Sequence, residues 1–130
     1  VFAEFRTEVV GSLQAALPDV PLWAIIPDDV AELPCIVVGR PGGRPGRERV
    51  VIDLTLQVFV LGRRQQAGGN EDELIALVDR VFVALGGTRG TKSPGGEVIA
   101  VARVDARTLS VAGIDVPAYS VEAEASAATC

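Results

Sequence analysis

The sequence contains no histidine and no methionine, and its 130 residues include only two cysteines, one tryptophan and one tyrosine. Each shortage excludes a class of chemistry. Without histidine the chain lacks the commonest general base, the commonest metal ligand and the side chain that titrates near neutrality. Two cysteines, Cys35 and Cys130, are too few for a zinc ribbon or finger. Cys35 is expected as a small apolar side chain in a strand and Cys130 as a thiol in a loose tail; no imidazole is present to activate either. No run of about 18 apolar residues spans a bilayer, and no basic-then-apolar stretch reads as a signal peptide. A net charge of −5 gives no general attraction to nucleic acid.

What is present fits a folded chain. Hydrophobic residues make up 48% and charged residues 22%, so the body is expected to be ordered around one core, as a single domain over residues 1–130. Phe2, Phe5, Val9, Leu13 and Leu17 step by three and four, which predicts an amphipathic helix ended by Pro18. Pro21–Ile26 and Cys35–Val38 read as short strands. Arg40–Arg49 has no side chain suited to a core and reads as a loop; so do residues 62–69 and 86–97. Val50–Leu61 is the strongest strand. Ile52, Leu54, Leu56, Val58 and Val60 share a face and Asp53, Thr55 and Gln57 share the other, which predicts antiparallel pairing with Cys35–Arg40.

A second helix follows from an N-cap at Asn70, acidic residues at 71–73 facing the positive end of the helix dipole, and a stripe of Leu74, Leu77, Val78, Val81, Phe82 and Leu85. Gly86 and Gly87 supply its stop. Val98–Val104, Leu109–Val111 and Val116–Ala125 are the remaining strands, with Ala112-Gly113 as a turn and a frayed tail from Ser126 to Cys130. The lone Trp23 is expected in the core. The prediction is therefore an α+β domain: an antiparallel or mixed sheet of about four to six strands with two helices packed on one face.

None of the chemical motifs survives inspection. Gly86–Ser93 resembles a phosphate-binding loop, but Thr91 stands where glycine must precede Lys-Ser, and the segment follows a helix instead of a strand. Asp28-Asp29 belongs to a turn, Glu71-Asp72 to a helix start, and Glu122 and Glu124 to the wet face of a strand, so no carboxylate pair has the setting that acid–base work needs. The expectation is no catalytic residue, no cofactor and no metal. Charge distribution is more informative. Arg40, Arg44, Arg47, Arg49, Arg63, Arg64, Arg89 and Lys92 are 8 of the 12 basic residues, all in or beside three glycine-rich segments, which leaves the rest strongly acidic. Basic protrusions of one copy could meet acidic surfaces of another, with Arg40, Arg44, Arg47, Arg49, Arg63, Arg64, Glu122 and Glu124 as the subunit-interface candidates. A phosphate backbone is the less favoured partner, since the net charge gives no general attraction to DNA, and the absence of interleaved aromatics argues against sequence reading of single strands.

The order of elements resembles the tail terminator family of long-tailed bacteriophages. The resemblance rests on helix Phe2–Leu17, the Pro34-Cys35-Ile36-Val37-Val38 strand, the long strand Val50–Leu61, helix Glu71–Leu85, and strands Val98–Val104 and Tyr119–Ala125. It covers nearly the whole chain and carries no signature motif. It implies a structural virion protein rather than an enzyme: a homo-oligomer, six to a ring, that caps the tail tube at the tail–neck junction, stops its polymerisation and contacts neck and head-completion proteins. DNA would only pass through the channel, and no membrane would be involved. The protein would be made in the host bacterial cytoplasm; eleven arginines to one lysine suit a phage of GC-rich actinobacteria. Other head–tail connectors, tube-like subunits and small non-viral α+β binding domains share this plan.

Overall fold

The computed structural model describes residues 2–25, 33–45, 51–62, 71–87, 90–92 and 98–128. Two helices, α1 (Phe2–Ala16) and α2 (Glu71–Ala84), accompany six strands: β1 (Leu22–Trp23), β2 (Cys35–Pro45), β3 (Val51–Leu61), β4 (Thr91–Lys92), β5 (Val98–Val111) and β6 (Ile114–Ala128). The sheet order is β1-β2-β3-β6-β5-β4. β1 runs parallel to β2, and the remaining pairs are antiparallel. This is the α+β architecture expected from the sequence. No described helix is long and apolar enough to cross a membrane.

Both helices cover one face of the sheet. Phe5, Val9, Leu13 and Leu17 meet Leu74, Leu77, Val78, Val81 and Leu85 over Ile36, Val38, Leu54, Leu56, Val58, Val60, Val121 and Ala123. Burying each large side chain of this layer contributes about 1.5–3 kcal/mol. α2 ends in a Schellman arrangement: Gly87 N–H donates to Phe82 C=O at 2.9 Å and Gly86 N–H to Val83 C=O at 3.0 Å. Gly86 has φ 85° and Gly87 φ 56°. The Phe82 ring lies so close that a Cβ on Gly87 would meet it at 3.0 Å.

The opposite face is not uniformly wet. At the Cys35 end of β2, Leu33, Cys35, Val37, Leu61, Val111, Val116 and Ala118 form a second apolar cluster. Toward the other end the same face carries Asp53, Thr55, Gln57, Glu122 and Glu124, as the alternation in β3 and β6 requires. An exposed Arg80 on α2 holds Asp19 in a forked contact, 2.8 and 3.2 Å, tying α2 to the segment after α1.

Several sequence expectations need correction. The segment Arg40–Arg49 is not a loop throughout: Arg40–Pro45 continues β2, with Pro41 opposite Leu56 and Pro45 opposite Ile52. Backbone pairing to β3 overrides a composition with little strand propensity. The prolines are tolerated because β2 is an edge beyond its short contact with β1. Of the expected strand Pro21–Ile26, Leu22 and Trp23 form β1 while Pro21, Ala24 and Ile25 lie outside it, and Ile26 falls outside the described residues. Trp23 is 38% exposed, not core, because β1 is the outermost strand. The expected loop 86–97 contains β4, which pairs with Ile99 and Val98. The two expected strands at 98–104 and 109–111 are one strand, β5, bulged between Val101 and Arg103. Ser126–Ala128 does not fray; it pairs with Asp53, Ile52 and Val51. Asn70 and Cys130 lie outside the described residues.

Candidate interaction surface

The described candidates gather on the sheet face that the helices leave open. Arg44 is exposed on β2, directly opposite Asp53 of β3. Asp53 in turn lies opposite Ser126 of β6, whose hydroxyl donates to Asp53 Oδ1 at 3.0 Å. Glu124 is exposed beside Thr55, one row along. Glu122 is half-buried; Gln57 Nε2 donates to its Oε2 at 3.2 Å. Arg40 is exposed and sits in a bulge, since Gly39 and Arg40 together oppose Gln57. The backbone approaches closely there: a Cβ on Gly39 would lie 2.9 Å from the Gln57 carbonyl oxygen. Next to the bulge, Arg6 of α1 donates to the Val38 carbonyl at 3.4 Å.

Arg44, Glu122 and Glu124 stand on one face of one sheet, within three adjacent strands. Among the described residues, a basic side chain of the β2 segment thus stands on the same face as these carboxylates. Arg47, Arg49, Arg63, Arg64 and Arg89 lie outside the described residues.

The sequence reading missed the outer part of the same face on β5. Arg103 Nε approaches Asp105 Oδ2 at 2.6 Å, and Arg107 Nε donates to Ser120 Oγ at 2.9 Å. Arg103, Asp105 and Arg107 alternate with Val104, Ala106 and Thr108, and that period of two was the available signal. The expected break after Val104 concealed it.

Among the described residues no three of Asp, Glu and Cys come together as a metal site would require. The Asp19–Arg80 pair displaces both of its own titrations. The hydrogen bond from Arg80 holds the Asp19 carboxyl below its usual range, and the same bond raises Arg80. What the surface can do is pair: it presents backbone edges and interleaved charges to another polypeptide. No family model matches the chain, and no curated protein sequence matches it.

Proposed function

We propose that the chain is a structural virion protein, a tail terminator that forms a ring of six on the head-proximal end of a phage tail tube. There it stops tube polymerisation and offers its outer surface to neck proteins. The observation that carries this reading is the layout of the domain: a long, largely antiparallel sheet, two helices on one face, and an open face of interleaved charge fed by an arginine-bearing edge strand. A ring requires contacts in which two different surfaces of one subunit meet. Arg40 and Arg44, exposed on β2, sit at one margin of the sheet, while β5 lies near the other. The two margins therefore differ in character, as a head-to-tail contact needs.

Co-expression with the tail tube protein of the same genome tests the reading. Electron microscopy should show tubes of limited length, each ending in a six-membered ring of this protein. Arg44→Glu should leave the fold intact and lower the fraction of capped tubes. Uncapped tubes of unrestricted length, with the protein absent from purified particles, would overturn it.

A further inference from the structure

The two long margins of the sheet are built differently. On β2, Pro41 and Pro45 remove backbone donors from the edge, which protects it from further pairing. β5 contains neither proline nor glycine from Val98 to Val111. Among the described residues its outer edge is occupied only at its start: β4 pairs with Val98 and Ile99, and Val101 N–H donates to the Gly87 carbonyl at 2.9 Å. From Ala102 to Ser110 every residue is exposed or half-buried.

The hairpin fixes which backbone groups are open. Val111 and Ile114 flank a two-residue turn, so they exchange both hydrogen bonds, and the alternation then directs Leu109, Arg107, Asp105 and Arg103 toward β6. Val104, Ala106, Thr108 and Ser110 point their N–H and C=O groups away from the sheet. Among the described residues no backbone group meets them. The bulge keeps this phase consistent with the outward N–H of Val101.

We infer that the β5 edge pairs antiparallel with the β5 edge of a second copy of this chain, about a two-fold axis at Ala106. Charge complementarity selects the partner, and charge and the bulge together select the register: centring on Val104 would also set Arg103 against Asp105 but would draw the bulged Ala102 into the ladder. Ladder bonds form only when outward residues face outward residues, so the allowed registers differ by steps of two. Centring the axis on Asp105 would set Asp105 against Asp105 and Arg103 against Arg107, which opposes like charges. Centring it on Ala106 sets Asp105 against Arg107 of the second copy twice, pairs Val104 with Thr108, and avoids the bulge. Within each copy Asp105 is already bridged to Arg103 and Arg107 is held by Ser120, so the side chains that meet are oriented beforehand. This two-fold contact uses the β5 margin and therefore competes with a head-to-tail contact at that margin; it does not rest on the tail-terminator reading.

Sedimentation and native mass spectrometry of the purified full chain test it. The wild type should be a dimer. Asp105→Arg and Arg107→Asp, each placing like charges opposite one another twice, should weaken it about tenfold or more. The double variant Asp105→Arg/Arg107→Asp should restore it, because the pairs reform with exchanged signs. Ala106→Pro removes an outward N–H without a loss to β6, and should give a folded monomer by circular dichroism. A wild type that stays monomeric at its highest attainable concentration overturns the inference. So does an oligomer indifferent to all these changes. Failure of the double variant to recover overturns the register.

Discussion

Ala112 is the one non-glycine residue described with a positive φ, 52°, and it shares the β5–β6 turn with Gly113 at φ 78°. Two positive φ values in a two-residue hairpin define a type I′ turn, which matches the twist of the flanking strands. Alanine is a poor choice there because its Cβ crowds the following carbonyl. Ala112→Asn should stabilise the protein by about 1 kcal/mol, since asparagine tolerates this conformation better. Chemical denaturation should show a higher midpoint with an unchanged slope. Gly113 would meet nothing within 4 Å if given a Cβ, so its requirement is conformational and not steric. The turn itself was legible in the sequence as Ala-Gly between two strands; the unfavourable conformation of Ala112 was not, because only closure of the hairpin at Val111 and Ile114 imposes it.

At the scale of elements, the strands divide by how their sequence period survives folding. β3 keeps a strict alternation, and Leu54, Leu56, Val58 and Val60 are all buried on the helix side. β2 begins with Cys35 to Val38 buried on both faces, then continues through residues with no apolar alternation at all. Its bulge at Gly39–Arg40 resets the side-chain phase, so that Pro41, Gly43 and Pro45 face the same way as Ile36 and Val38. Gly39→Ala should cost about 1–3 kcal/mol, because the new methyl would press on the Gln57 carbonyl and the backbone must shift. Thermal melts should show the loss, while Gly11→Ala, in open space on α1, should be neutral or stabilising. β5 hides a similar device: Val101 and Val104 are three apart yet share a face because Ala102 is the extra residue. A reading based on period two breaks the strand at that point.

Over the whole molecule, the contacts that join elements far apart in sequence decide stability. The helices are held chiefly by apolar burial, but the Arg80–Asp19 fork adds a polar tie between residues 61 apart. Arg80 depresses the Asp19 carboxyl, so the folded state favours the ionised form. The contribution is complete above the ordinary carboxylate range and is lost as pH falls through the lowered value. Both groups are exposed, so the effect is small at neutral pH and screened by salt. Asp19→Asn should melt slightly below the wild type at neutral pH, and the gap should close on acidification. Melting curves from pH 7 down to about 2 check this.

Residue patterns alone determined the two helices, the buried face of β3, the antiparallel β2–β3 pair and the α+β layering. Each of these follows from local spacing of apolar side chains, which a linear chain displays openly. Tertiary structure alone decided that Arg40–Pro45 is a strand, that β5 is continuous, and that Arg44, Glu122 and Glu124 share a face. Those outcomes depend on which backbone lies alongside, and hydrogen bonding between strands is indifferent to the side chains from which sequence patterns are read.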